Sequence, residues 1–372
     1  MALIKLNTRS IPDNAVTPAK VSQNLGRRNI LRNGAINVAQ RGTIFSPTNG
    51  QTYIFDGFLA TVGSSFNMDT TVTQSSTVPT GEGFSKSIKV TPDSVVSSSG
   101  SHNGGIAQRL EVQNVNHLGW GTSSAKSLTL SFWVKSSKTG TYCVQLQQNA
   151  TSSGSEYSHV KEYTIATADT WQKVILTFPG NTTQAAAGSS NADGLRVNWW
   201  LVCGSSDHTA ADSWAQTASY QATSNQVDFM DNTSNTWYMT GCQLESGNNA
   251  TEFEHRSFGE ELSICQRYFR VIGPYGNPRA TGGNDFFLVN VMHNNENRLC
   301  APYFDTAFRA TPSVTLVNHS NGGTGALTEF SSGTVRSQTS FSQIGLRGGG
   351  YPQFNGNFGN PAYWRAEYNA EI

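Results

Sequence analysis

The sequence predicts an all-β protein: a jelly-roll β-sandwich, then a short helix and a second C-terminal β-domain, behind an extended N-terminal arm. Three observations predict it. Short runs of alternating polarity recur along most of the chain, separated by Ser/Thr/Asn/Gly clusters, which is the pattern of an antiparallel sandwich. Segments with helical period are nearly absent. Charged residues make up 13% of the 372 positions, against about 25% in ordinary soluble domains, so Ser, Thr, Asn, Gln and Gly carry the polarity.

The stretch Trp237 to Arg270 marks the change from one region to the next. Its first part alternates, with Tyr238, Thr240, Cys242 and Leu244 on one face and Met239, Gly241, Gln243 and Glu245 on the other. From Ser257 the period becomes helical, and Phe258, Leu262, Cys265 and Phe269 share a face. Ser257 and Glu260 have the spacing of a capping box, Arg267 and Arg270 would sit near the negative end of the dipole, and Pro274 follows. The expected organisation is therefore an arm over 1–28, a sandwich over 29–256, a connecting helix over 257–273 and a β tip over 274–372.

In chain order, residues up to Arg41 carry seven basic side chains against Asp13 alone, although the whole chain has zero formal net charge. Such an arm either docks on an acidic partner or is a solvated tail, and the neutral total argues against nucleic-acid binding. Asn33-Gly34 reads as a turn. Strand-like runs follow at 51–62, 85–90, 106–112, 126–136, 140–148, 162–166, 170–178, 195–203 and 236–244. In the run at 126–136, Leu128, Leu130, Phe132 and Val134 form a core face. Trp133 then lies on the wetter face, where it either stacks on a sugar or is covered by a loop or a neighbouring subunit. Trp171, Trp199 and Trp200 pose the same question.

Beyond Gly273, further runs at 284–294, 301–318, 342–348 and 362–372 complete the tip. Within it, 347–364 reads as a glycine-hinged loop bearing Tyr351, Phe354, Phe358 and Tyr363, an adhesive surface unless the rings pack inside or on a three-fold axis. The five cysteines show no C-x-x-C spacing and read as buried reduced thiols. The first residues lack a signal-like apolar core, and no run of about 18 apolar residues occurs, so neither secretion by a signal peptide nor membrane insertion is expected. Nucleophile elbows, phosphate-binding loops and zinc-protease motifs are absent, so no catalytic residue, cofactor or metal is assigned. A pair of carboxylates facing across a cleft would leave no such spacing signature.

The segments NILRNGAINVAQRG, SFWVKSSKTGTYCVQL, TWQKVILTFPG and TGCQLESGNNATEFEHRSFGEELSICQRYF resemble a domain of marine bacteriophage and cyanophage tail-fibre and appendage proteins. The order of elements over about 29–272 is also similar to carbohydrate-binding-module jelly rolls, without the acidic pair of a structural calcium site in the last strand. The resemblance implies a virion appendage, assembled in the host cytoplasm as a homotrimer, that attaches to a surface glycan or outer-membrane protein. Lys5, Arg9, Lys20, Arg27 and Arg28 would anchor it to other virion proteins, and the Phe258 stripe would face its own sandwich or a three-fold axis. A purely structural head fibre, neck or adaptor protein and a polysaccharide depolymerase are the alternatives.

Overall fold

The computed structural model describes residues 27–372 apart from 64–66, 150–155, 186–189, 218, 274–276, 278–286, 290–301, 319, 330–334 and 355–361. Its strands are β1 (Ile44–Phe45), β2 (Gly50–Tyr53), β3 (Phe58–Val62), β4 (Thr70–Ser75), β5 (Ser87–Pro92), β6 (Asn103–Glu111), β7 (Leu128–Ser136), β8 (Gly140–Gln148), β9 (Tyr157–Ile165), β10 (Gln172–Phe178), β11 (Asp193–Cys203), β12 (Trp214–Ala215) and β13 (Trp237–Ser246). They form two antiparallel sheets, β1-β4-β5-β13-β7-β10 and β12-β9-β8-β11-β6-β3-β2. The body is a jelly-roll sandwich, as the sequence predicts.

Alternation fixes which side of each strand enters the core, because successive side chains point to opposite faces. Phe58, Leu130, Phe132, Val144, Val197 and Trp199 meet between the sheets. Phe132 stands edge-on to Tyr163 at 5.3 Å and to Trp199 at 6.0 Å. A fully buried aromatic contributes several kcal/mol of apolar burial, so each ring of this cluster is a large contributor to the body's stability.

Two local features differ from the sequence reading. The run at 51–62 is a hairpin, not one strand: β2 and β3 pair in register from Gly50↔Val62 to Tyr53↔Leu59. In β13 the alternation is interrupted, since the register with β7 shifts between Thr240 and Gln243. Gly241, at φ +64°, supplies the positive dihedral of this bulge. Trp237, Met239, Cys242 and Leu244 therefore all reach the core, whereas Tyr238 stays on the outer face. The Asn33-Gly34 turn is present. Asn33, at φ +53°, receives Val38 N on its Oδ1 and donates from Nδ2 to the carbonyls of Val38 and Asp56. A Cβ on Gly34 would lie 2.1 Å from the Cys242 carbonyl oxygen, so only glycine lets this segment cross β13.

The helix (Phe258–Cys265) is shorter than expected. Ser257 caps it, its Oγ accepting from Glu260 N at 3.3 Å. Arg267 and Arg270 leave the helix end: Arg267 makes a two-pronged pair with buried Glu111 at 2.8 and 2.9 Å, and Arg270 lies on a strand. That strand is β14 (Phe269–Ile272), so Phe269 leaves the helical stripe and joins the C-terminal sheet.

The C-terminal sheet adds β15 (Phe287–Val289), β16 (Ser313–Val317), β17 (Ala326–Glu329), β18 (Val335–Gly345), β19 (Gly348–Phe354) and β20 (Ala362–Asn369). Its order is β14-β20-β17-β18-β19, with β15 and β16 also pairing β20. Much of the segment expected to be a glycine-hinged loop is therefore strand: β19 runs antiparallel to β18, with Tyr351 opposite Ser342. Cross-strand pairing overrides the glycines' turn preference there. Phe304, Phe308 and Tyr368 form an aromatic cluster with centroids 5.1 to 5.9 Å apart.

This sheet is fastened to the sandwich by its last residues. Glu371 lies between Arg32 at 3.0 Å and Arg41 at 3.1 Å, with its side chain 3% exposed. Tyr53 and Arg109 donate to the Ile372 carbonyl oxygen at 2.7 and 2.5 Å. Arg32 and Arg41 also stack over the rings of Tyr268 and Phe269 at 3.8 and 3.5 Å.

Candidate functional site

One cavity, of about 630 Å³, lies where the 27–32 segment meets the helix and the 245–251 loop. Its buried cations are already engaged: Arg32 holds Glu371, and Arg256 donates to the Asn29 and Leu31 carbonyls. A second cavity, of about 300 Å³, lies on the outer face of the β12-to-β2 sheet and is the candidate site.

Strand alternation builds its floor. On β11, Leu195, Val197 and Trp199 enter the core, which leaves Arg196, Asn198 and Trp200 on the outer face. Leu59 and Thr61 of β3, Ala107 and Arg109 of β6 and Gln147 of β8 extend that floor, and Gln221 joins from the loop that follows β12.

Gln145 of β8, fully buried beside the groove, organises the polar groups. Its Oε1 accepts from Asn198 Nδ2 at 2.9 Å and from Trp200 Nε1 at 3.3 Å. Its Nε2 donates to Ser158 Oγ at 2.9 Å and to the Tyr220 carbonyl at 2.8 Å, which staples the loop to the sheet. The backbone N of Gln221 donates to the Asp207 carbonyl at 3.0 Å. With its own amide nitrogen used, Asn198 has its carbonyl oxygen left for a ligand. Gln221 Oε1 is buried and has no hydrogen-bond partner. A buried acceptor left unsatisfied is costly, about 1–3 kcal/mol, and a ligand hydroxyl would satisfy it.

At the groove's other end, Arg196 is held by Asp193 at 2.6 Å, and Arg109 lies 3.7 Å from the same carboxylate oxygen. Burial, followed by the neighbouring Arg196 guanidinium, pulls the Arg109 pKa below its ordinary value. Among the described residues that line the groove there is no Asp or Glu. The arrangement is suited to holding hydroxyls through carboxamides and guanidiniums, beside an aromatic edge.

The sequence-predicted residues are dispersed. Trp133 is half-buried on the outer face of the opposite sheet, between Lys173 and Thr240 in register, and Trp171 lies on that side too. Trp199 is in the core, and Trp200 lines the groove. Tyr351 and Phe354 are on β19 and Tyr363 is on β20, whereas Phe358 lies outside the described residues. Lys5, Arg9 and Lys20 also lie outside them. Arg27 pairs with Glu260 at 2.7 Å, and Arg28 N donates to Glu254. On the helix, Phe258 is 50% exposed, Leu262 half-buried and Cys265 buried.

Sequence reasoning missed Gln145, Asn198 and Gln221. The alternation of Arg196, Asn198 and Trp200 against Leu195, Val197 and Trp199 was the available signal for the floor. Gln221 carried none, because it reaches the groove by a loop.

No family model matches the chain, and no curated protein matches it. Among solved structures, it is similar to a family 11 carbohydrate-binding module of a Clostridium thermocellum cellulosomal cellulase, at 10% identity over 54% of this chain and 98% of that one, with a TM-score of 0.28. A family 30 carbohydrate-binding module matches at 11% identity over 64% of this chain and 96% of that one, TM-score 0.30. The enzymatically active domain of bacteriophage CBA120 tailspike protein 4 matches at 13% identity over 59% of this chain, TM-score 0.29. The chain spans 21% of the length of that tailspike domain. The strand order of the two sheets by itself defines the jelly roll.

Proposed function

We propose that this protein is a glycan-recognising subunit of a bacteriophage appendage, a tail fibre or related attachment protein. In this reading the groove receives a bacterial surface polysaccharide, the N-terminal arm joins the chain to other virion proteins, and three copies associate through their β-regions. The observation that carries glycan recognition is the buried, unpartnered Gln221 Oε1 in a groove whose described lining has no Asp or Glu, beside the Asn198 carbonyl and the Trp200 edge. A sugar supplies the hydroxyl donors that these acceptors lack. With no Asp or Glu among the described residues that line the groove, the reading is recognition rather than glycosidic cleavage.

The test is calorimetric titration of the full chain with a panel of bacterial surface polysaccharides, repeated for Asn198→Ala and Gln221→Ala. Each substitution is expected to weaken binding by about tenfold, roughly one hydrogen bond's contribution. Binding that both variants retain unchanged would move the glycan site elsewhere, and a wild-type chain that binds no member of the panel would overturn the reading.

A further inference from the structure

The outer face of the other sheet carries a row of side chains that the groove does not use. Register places Lys89 of β5 opposite Tyr238 of β13, and Tyr238 opposite Lys135 of β7. Trp171, just before β10, continues the row. Cation and ring alternate: Lys135 Nζ is 4.4 Å from the Tyr238 ring centroid and 5.8 Å from that of Trp171, while Lys89 Nζ is 5.9 Å from Tyr238. One residue pair along, Trp133 lies opposite Lys173. None of the three lysines makes an ion pair among the described residues, whereas Lys138 and Lys161 elsewhere do. All these side chains are half-buried or exposed.

Sheet geometry gives this row a spacing. Neighbouring strands are about 4.8 Å apart, so Lys89 and Lys135, two strands apart, are separated by about 10 Å at their backbones. That is the length of two hexose units joined in an extended chain. Tyr238 and Trp171 hold the ammonium groups of Lys89 and Lys135 beside their rings. Thr73, in register with Lys89, and Thr91, the next outward residue on β5, place hydroxyls beside the row. Hydroxyls beside cations about 10 Å apart fit a sugar polymer with charged substituents better than a nucleic acid or an acidic peptide.

We propose that this face is a second binding surface, specific for an acidic polysaccharide, on the opposite side of the sandwich from the groove. Its carboxylate or sulfate groups meet Lys89, Lys135 and Lys173, and its ring edges lie against Trp133, Trp171 and Tyr238. The surface stands on its own observations and does not require a ligand in the groove.

The test measures binding of the full chain to dextran sulfate, with uncharged dextran, poly-glutamate and a single-stranded oligothymidylate as comparisons. Wild-type protein is expected to prefer dextran sulfate and to bind it less tightly as salt rises. The triple substitution Lys89→Gln, Lys135→Gln and Lys173→Gln should weaken binding by about tenfold to a hundredfold, the sum of three exposed ion pairs. An unchanged melting temperature would show that the variant is folded. Trp171→Ala should weaken it further, and Asn198→Ala, which alters only the groove, should bind dextran sulfate as wild type does. The proposal is overturned if wild type does not bind dextran sulfate or the triple variant binds it as tightly. Equal or tighter binding of poly-glutamate or the oligothymidylate, or loss of binding in Asn198→Ala, also overturns it.

Discussion

Acidification should destabilise the sandwich through one residue, His159. It lies on β9 opposite Trp214, fully buried, with its ring edge-on to Phe178 at 5.3 Å and to Trp214 at 5.2 Å. Neither ring nitrogen has a hydrogen-bond partner. Burial, reinforced by nearby Lys161, lowers its pKa from 6.5 to about 4, with Asp212 opposing. Between those values the unfolded chain takes up a proton that the folded chain refuses, so stability falls as pH drops. At about 1.4 kcal/mol per unit, the loss is about 2 kcal/mol at pH 5 and about 3 kcal/mol once pH reaches the folded value. His159→Phe keeps an aromatic ring in the slot and removes the titration. Urea denaturation followed by tryptophan fluorescence should show wild-type stability falling by about 2 kcal/mol more than the variant's between pH 7.5 and pH 5. Equal losses for the two proteins would refute the reasoning. Because Trp214 of β12 packs on this ring and the segment after β12 carries Gln221, glycan binding should weaken over the same range.

Glu371→Gln should destabilise the protein by about 3–5 kcal/mol, since Arg32 and Arg41 would keep buried charge without its counterion. Calorimetry checks this, and a loss below about 1 kcal/mol would mean that the latch is solvated. Truncation near Gly273 removes both Glu371 and the β20 partner of β14, so it should destabilise the body as well as delete the C-terminal sheet, visible as a lower melting temperature of the remainder. Phe132→Ala should cost about 3–5 kcal/mol by urea denaturation, because its ring contacts both Tyr163 and Trp199 in the core. Cys143, Cys203, Cys242 and Cys265 are buried and their thiol pKa values are raised, by desolvation first. A thiol reagent should therefore label at most one of the five cysteines in native protein and all five after unfolding.

The polarity pattern was a reliable guide where a strand has one buried face and one outer face. Leu128, Leu130, Phe132 and Val134 enter the core as their spacing requires, and the Ser257 cap is where its side chain and the change of period put it. Pattern failed where backbone irregularity or pairing intervened. The bulge at Gly241 moved Met239 to the face of Cys242 and Leu244, and the partner strand β18 drew the glycine-rich 348–354 segment into a sheet. Phe269 followed β20 out of the helical stripe for the same reason, since a strand partner satisfies the backbone that the helix no longer does.

The sequence by itself determined the fold class, the positions of most sandwich strands, the Asn33-Gly34 turn and the one change of period at the helix, because these depend on neighbours within a few residues. Only the tertiary structure decided which outward side chains meet. Trp200 and Trp171 carry the same local signal, yet one lines a groove with Asn198 and the other stands beside Lys135 on the opposite sheet. Gln221 reaches the groove from a loop, and Glu371 finds Arg32 across 339 positions of chain. Such meetings are set by strand order and loop path, which residue spacing along a single chain does not encode.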